Sequence, residues 1–444
     1  MREETIHIVG GGMTGFTVAL RLARKGIRVA VHELESSPGG LSGGSSIAGI
    51  PVERFYHCVL PTDEALLALF DELGLSNRIG WTRTRTGFFD PEGRLLDLTT
   101  TLDFLKFPPI NLIDRMRLAW TVAYCGYFAD WRRLDGQSIS AFLRRHGGRR
   151  LFEKVWEPLL LAKLGPDYEQ FAATFIWAYT KRMLGARKAK GRSEKLGFVR
   201  GRYGHVFSAF RKEIERLGGE LCTGRSVESI CRGTEDGADW VVRTEGGEHH
   251  ARGVVLTIPA IHAARLVDHV APQAAVSMRK VQYLGVVSEA LLLKRSITPY
   301  YVLNLIDRSM PFTGVIETSN LTGVEEFAGH TLVYVPRYCR GDSPLWRMSD
   351  AEIHAENMKG LKKVASDFCE DQVVGWQMNR ARNVQPVQSK GRWAELPPVS
   401  LAPGLAYVST AQIYPWPVFN DEAVRNVDAR LPEVMKTLFG ETSA

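Results

Sequence analysis

The sequence predicts an α/β protein. A Rossmann-like nucleotide-binding domain, with a parallel sheet and a β-meander, is interleaved with a second domain of mixed sheet plus a helical insertion. Three observations carry this prediction. The opening residues run strand, glycine turn, helix, strand, acid; residues from about 102 to 195 turn helical and aromatic; β-rich text then returns. The chain has 444 residues, more than one core usually holds, so two interleaved domains are the natural count.

The first strand is the apolar run Ile6-His7-Ile8-Val9, and the turn is Gly10-Gly11-Gly12-Met13-Thr14-Gly15. Gly10 permits a tight exit from the strand. Gly12, lacking a side chain, lets a pyrophosphate approach the backbone, and Gly15 lets the helix pack closely on the sheet. The helix opens at Met13 and Thr14, where free N–H groups and partial positive charge suit phosphates. The second strand, Arg28 to Glu33, places the Glu33 carboxylate roughly 20 residues beyond the turn, in reach of ribose hydroxyls.

A second glycine-rich turn follows at once, Pro38-Gly39-Gly40-Leu41-Ser42-Gly43-Gly44. It brings more backbone N–H groups to the cofactor, which favours FAD over a nicotinamide nucleotide. With these turns, Glu33 and the segment Ile50-Pro51-Val52-Glu53-Arg54-Phe55-Tyr56-His57, the chain resembles a large FAD-dependent superfamily. Its members include flavin amine oxidases, protoporphyrinogen oxidase, phytoene desaturases and UDP-galactopyranose mutase. The resemblance implies cofactor contacts from Gly39, Gly40, Leu41 and Ser42.

The remaining elements follow in order. Thr62 and Asp63 start a helix over Ala65–Leu73, stopped by Gly74. Pro108-Pro109 opens the helical region, with Arg115–Phe128, Ser138–Arg145 and Leu151–Leu161 as helices. Gly201-Arg202-Tyr203-Gly204 precedes an amphipathic helix, Val206–Leu217. A meander follows through Val227–Ile230 and Trp240–Thr244 to Gly253–Pro259. By resemblance, the Val227 backbone faces the adenine and Thr257 sits near the cofactor. From Pro272 to Gly375 strands alternate with turns: Val286–Leu293, Tyr300–Ile306, Thr313–Glu317 and His330–Val335. The last strand, Gly404–Thr410, leads through an irregular turn to a helix from about Asp421. In relatives that helix points its N-terminus at the flavin ring. They carry Gly-Asp after the strand; this chain has Ser409-Thr410, then Ala411-Gln412-Ile413-Tyr414-Pro415, so contacts are expected from Gln412, Tyr414 and Asn420 instead.

The expected boundaries are therefore 1–101, 196–271 and 379–444 for the FAD-binding domain, 102–195 for the helical insertion and 272–378 for the substrate sheet.

Composition narrows the class. The chain is 45% hydrophobic and 24% charged, as a soluble globular protein is. Cys58, Cys125, Cys222, Cys231, Cys339 and Cys369 are scattered; they form neither a metal-binding pattern nor a disulfide framework, which fits a reducing cytoplasm. Glu3 and Glu4 precede the first strand, unlike a secretory signal. No apolar run reaches the roughly 18 residues of a membrane span. Phe104, Leu105, Phe107, Ile110, Leu112 and Ile113 either pack inside, as apolar loops usually do, or touch a membrane surface peripherally. The net charge of +7 concentrates in Lys181, Arg182, Arg187, Lys188, Lys190, Arg192, Lys195, Arg200 and Arg202. This stretch reads as a solvated loop, or as a landing site for an anionic substrate or acidic lipid. No nucleic-acid-reading module accompanies it. Nothing in the sequence speaks to oligomeric state.

For the chemistry, an FAD enzyme must hold a substrate C–H within about 3–3.5 Å of flavin N5. The expected activity is an FAD-dependent oxidoreductase transferring a hydride to N5. His57, at a place resembling the mutase's flavin-face histidine, is either catalytic or a hydrogen-bonded core histidine. Tyr301, Glu317 and Asn320 lie in a segment whose mixture of aromatic and polar residues suits a pocket wall. Arg380 and Arg382 suit a clamp on phosphate or carboxylate. No metal is expected. The nearest whole-chain resemblance is to protoporphyrinogen-oxidase-like bacterial proteins, carried by Phe152–Lys163, Tyr300–Asn320 and Ile413-Tyr414-Pro415. It implies a small-molecule or lipid-linked substrate, such as an anionic glycan or lipid-linked molecule. The alternatives are a flavin-dependent sugar-nucleotide mutase, for which His57 and the arginines speak, and a lipid or prenyl desaturase, for which Phe104–Ile113 speaks.

Overall fold

The computed structural model describes residues 5–99, 103, 107–108, 110–165, 167–188, 195–233 and 240–440. Two sheets organise it. The first has the strand order Ser400–Ala402, Leu405–Tyr407, Gly253–Leu256, Ile6–Val9, Val29–Glu33, Glu220–Thr223. Every pairing is parallel except that of Ser400–Ala402 with Leu405–Tyr407. Its strands are short and apolar, as strands covered on both faces must be. One face packs on Met13–Ala23, Gly204–Arg216 and Asn420–Phe439, burying Phe16, Leu20, Phe210 and Val424. The other packs on the three-stranded meander Val227–Arg232, Trp240–Thr244, Gly247–Ala251 and on Ala260–Val267. Each fully buried large apolar side chain here contributes about 1.5–3 kcal/mol.

The second sheet has seven strands in the order Val373–Pro386, Tyr283–Leu293, Thr331–Arg340, Gly314–Glu317, Val302–Leu305, Thr86–Phe89, Leu95–Asp97. It is mixed, since Val302–Leu305 runs parallel to Thr86–Phe89 and its other pairs are antiparallel. Its two faces differ. Tyr301, Ile316, Leu332 and Tyr334 pack with Ile47 and Val52 on the side of the nucleotide-binding domain. Leu291, Val315, Val333 and Leu361 form a core on the opposite side, under the helix Asp350–Val364. The helical insertion has its own core of Phe142, Phe152, Phe171 and Trp177, which reaches Leu284 of the second sheet and Val387 just past its edge strand.

The α/β architecture is as the sequence predicts, with differences in detail. The strands Thr86–Phe89 and Leu95–Asp97 fall within 1–101 yet complete the second sheet, because their backbone groups pair with Val302–Leu305. Likewise the substrate sheet, expected to end at residue 378, includes a strand Val373–Pro386 that runs beyond it beside Tyr283–Leu293. The text from Pro272 to Gly375 also contains helices, the longest being Pro272–Arg279 and Asp350–Val364. The second starts in a capping box, Ser349 with Glu352, which is a readable signal. Helix Arg115–Phe128 begins earlier, at Leu112, and ends in a π-helical turn, Tyr124–Phe128. Among the described residues, no helix is long and apolar enough to cross a membrane.

Candidate active site

The glycine turn lies between the strand Ile6–Val9 and the helix Met13–Ala23, as that spacing requires. Gly12 caps the helix in an extended conformation with no side-chain hydrogen bond. A Cβ on Gly12 would meet only the Gly40 Cα, at 3.9 Å; one on Gly40 would meet only the Gly12 Cα, at 3.4 Å. The two glycine turns therefore face each other across a bare backbone cradle, with the open N-terminus of a helix on one wall. This fits a dinucleotide's phosphates. Gly15 has a different task, since a Cβ there would lie 1.8 Å from the Gly10 carbonyl oxygen. Thr257 closes the back of the turn, its Oγ1 donating to the Val9 carbonyl at 2.9 Å. Met13 points its side chain into the core, which leaves only its backbone for a ligand.

Glu33 ends the second strand, accepting the Gly11 N–H at 2.6 Å and the Glu35 N–H at 2.9 Å. The N–H groups of Gly224 and Arg225 bond to the Glu35 and Glu33 carbonyls, which brings the Val227 strand alongside. The Gly39 N–H donates to the Gly11 carbonyl at 2.9 Å and ties the second turn to the first.

Beyond the cradle, Ser42 joins three segments. Its Oγ is 3.2 Å from His57 Nε2 and donates to Asn420 Oδ1 at 3.1 Å. Asn420 is the first residue of the helix Asn420–Phe439, whose N-terminus thus meets the second glycine turn. Burial pushes the His57 imidazole down to about 4, partly opposed by its contact with the Phe55 carbonyl, 2.8 Å from Nδ1. Burial pushes the nearby Glu53 carboxyl up to about 7, against the Tyr203 N–H and Arg202. At 4.0 Å the two are therefore no ion pair near neutral pH. His57 is therefore a neutral imidazole, with Nδ1 at the Phe55 carbonyl and Nε2 at the Ser42 hydroxyl.

A crevice opens between this corner, the second sheet and the helical insertion. Tyr56 and Tyr338 share a hydrogen bond of 2.8 Å, and the Lys163 ammonium stands over the Tyr338 ring at 3.9 Å. Tyr179 faces the same lysine. These four side chains are strongly desolvated, yet each keeps accessible surface, as groups lining an internal space do. Burial alone would push the Tyr338 phenol up; Lys163 and the Tyr56 hydroxyl outweigh it and hold Tyr338 below its ordinary value. Tyr301 packs behind them, 2% exposed, within reach of Cys58.

Other expected site residues lie elsewhere. Glu317 is on the opposite face of the second sheet, where its Oε2 accepts the Thr298 N–H at 3.0 Å; neighbouring strand residues alternate faces. The Asn320 amide donates to the Thr298 and Tyr300 carbonyls and holds a loop. Arg380 pairs with Asp350 and the Met348 carbonyl, and Arg382 covers Trp346, so both face the outer helix rather than the crevice. Gln412 spends its amide on the Pro397 and Tyr407 carbonyls and the Ser409 N–H. The Tyr414 hydroxyl bonds Thr174 and Asp135 in the helical insertion. In the basic stretch, Arg182 is buried and paired with Asp63 at 2.8 Å, and Arg202 bonds the Glu326 carbonyl. Lys190 and Arg192 lie outside the described residues, as do Phe104 and Leu105. Sequence reasoning missed Lys163, Tyr179 and Tyr338. The one available signal was a lone lysine in the apolar run Pro158–Leu164.

The profile of the flavin containing amine oxidoreductases matches residues 13–386. A coproporphyrinogen III oxidase of Mycobacterium tuberculosis is 25% identical over 299 residues, 63% of this chain and 64% of that protein. A protein of the same organism assigned as a flavin-containing monoamine oxidase is 38% identical over 280 residues, 58% of this chain and 57% of its own. These matches therefore span less than two thirds of either relative. A crystal structure of an oxidoreductase from Methanosarcina mazei shares the fold, with a TM-score of 0.75 at 16% identity, covering 96% of this chain and 100% of that one. With cradle, second glycine turn and profile in agreement along most of its length, the chain belongs to the flavin containing amine oxidoreductase family, and its cofactor is FAD.

Proposed function

We propose that this FAD-dependent oxidoreductase oxidises a C–H bond of an anionic glycan or lipid-linked molecule held in the crevice between the glycine cradle and the helical insertion. The observation that carries the reading is the crevice itself: a lysine and three phenols, desolvated but not packed shut, one short step from the Ser42–His57 corner. Bound FAD supplies the two-electron acceptor. The chain's own residues do the rest. The cradle of Gly12 and Gly40 receives phosphate, Glu33 receives ribose hydroxyls, and Ser42 with Asn420 fixes the start of the last helix beside the second turn. His57, kept neutral, orients Ser42 and carries no charge into the site. The phenols exclude water and keep polar hydrogens aimed at the substrate space.

The family match supports oxidation ahead of the mutase and desaturase alternatives. A location at a membrane surface is supported by the exposed side chains Leu112, Ile113, Met116, Trp120 and Phe128 of the insertion. Phe107 and Ile110 take no part in it, being packed against Phe88 and Leu151.

The test is anaerobic mixing of the FAD-loaded protein with anionic glycans, lipid-linked sugars and simple primary amines in turn. Loss of the oxidised-flavin absorbance with one of the first two classes is expected. Bleaching by amines alone would overturn the reading.

A further inference from the structure

We propose that Lys163, with the hydroxyls of Tyr179 and Tyr338, forms a subsite for a single carboxylate of the substrate. The inference rests on the reading of the crevice as substrate space and names what that space recognises.

Lys163 lies on the helix Glu157–Leu164, Tyr179 on the helix Thr174–Lys188, and Tyr338 on the strand Thr331–Arg340. Three elements far apart in the chain thus deliver one cation and two phenols to one place. The ammonium is desolvated and stands over the Tyr338 ring at 3.9 Å. Burial opposes its charge, and the phenols of Tyr179 and Tyr338 outweigh burial and hold it above its ordinary value; among the described residues no carboxylate lies within ion-pair distance of it. A cation withdrawn from water calls for a counter-ion, and neutral ring faces and hydroxyls solvate the ammonium without cancelling its charge. A second cation acting on Tyr179, Arg182, already has its own partner in Asp63. The crevice therefore lacks one negative charge.

The chemistry of the donors narrows the anion. One ammonium balances one unit of charge, and the phenol hydroxyls add neutral donors. This suits a carboxylate. A dianionic phosphate calls for a second cation or a guanidinium fork, which this wall does not present. The same field opposes an ammonium group. A free amine, protonated near neutral pH, would enter against Lys163 with no carboxylate to receive it.

The experiment uses the FAD-loaded full chain and two probes of equal length, pentanoate and pentylammonium. Two readouts are followed, the flavin difference spectrum and the melting temperature. Pentanoate is expected to perturb both, and pentylammonium neither. Lys163→Met should weaken pentanoate roughly tenfold or more, the scale of a lost charged hydrogen bond, while Lys163→Arg should retain most of it. Retained FAD absorbance in each variant confirms that the fold survives. Pentanoate binding unchanged in Lys163→Met, or pentylammonium binding as well as pentanoate, overturns the proposal, as does silence from both probes. A Lys163-dependent melting shift with no flavin response keeps the anion subsite but overturns the crevice as substrate space.

Discussion

Glu317 shows how far a residue's surroundings can differ from its type. It is fully buried, and its carboxyl is raised to about 7 by burial, against hydrogen bonds from Ser296 and the Ile297 and Thr298 N–H groups. Glutamine keeps an acceptor oxygen for those donors, so Glu317→Gln should leave FAD content and turnover within about twofold of wild type. Glu317→Ala strands buried N–H groups and should lose roughly 2 to 4 kcal/mol in denaturant unfolding. A large fall in turnover for the glutamine variant at full FAD content would return Glu317 to the site. The glycines divide in the same way. Gly15→Ala forces a Cβ to within 1.8 Å of the Gly10 oxygen and should abolish folding. The Cβ of Gly12→Val meets only the Gly40 Cα, at 3.9 Å, so the protein should fold, by circular dichroism, yet purify without FAD. These glycines were legible in the sequence because their task is local: strand, turn and helix are consecutive. Lys163 and Arg182 were not. Whether a cation is solvated or buried depends on partners such as Asp63, which lies 119 residues from Arg182 and nothing nearby announces.

At the scale of elements, two adjacent strands of the first sheet and one strand of the meander place histidines together. His7 Nδ1 is 2.7 Å from His32 Nε2, the two rings stack at 5.0 Å, and His249 of the meander approaches both. Burial, then the neighbouring rings, lowers His7 to about 3; burial, His249 and Arg225 lower His32 to about 4. Both rings are thus neutral when folded, whereas the unfolded chain takes up protons below about 6.5. The stability they leave intact above that pH is lost as the pH falls towards 4, at up to about 1.4 kcal/mol per pH unit for each ring. Melting temperature should drop steeply between pH 6.5 and 5, and His7→Gln with His32→Gln should flatten the drop. An unchanged slope in the double variant would place the acid sensitivity elsewhere. The alternation and β-branching of these strands made them readable, but the stacking of their histidines depends on the register Ile6↔Val29, a tertiary fact. The helix Asp350–Val364 was overlooked for a different reason. Its capping box is local and legible, but strand text on both sides drew the reading toward sheet.

For the molecule as a whole, the helical insertion presents an exposed apolar stripe. Its helix Leu112–Ala123 carries Leu112, Met116 and Trp120 four residues apart on one side, and Phe128 stacks on Trp120 at 6.2 Å. Trp120 is 51% and Phe128 69% exposed, values that an ordinary solvated surface does not favour for such large rings. Arg117 on the same helix and Arg132 and Arg133 just beyond Phe128 are exposed too. An apolar stripe bordered by cations fits the interface of an anionic bilayer better than it fits water, since each ring gains by burial and each cation by the surface potential. The stripe is also connected to the crevice: the turn Tyr124–Phe128 packs on the helix Thr174–Lys188, where Gly126 meets Leu184 and which carries Tyr179, a neighbour of Lys163. A lipid-linked substrate presented at the stripe would thus arrive one helix away from Lys163. The full chain should co-sediment with vesicles containing acidic lipid and release them as salt rises. Trp120→Ser with Phe128→Ser should weaken that binding roughly tenfold or more, at about 1.5–3 kcal/mol for each large side chain withdrawn from lipid. FAD content and the pentanoate response without vesicles should stay as they are, because neither ring belongs to the cradle or the Lys163 cluster. If the double variant binds vesicles as wild type does, the stripe faces something other than a membrane.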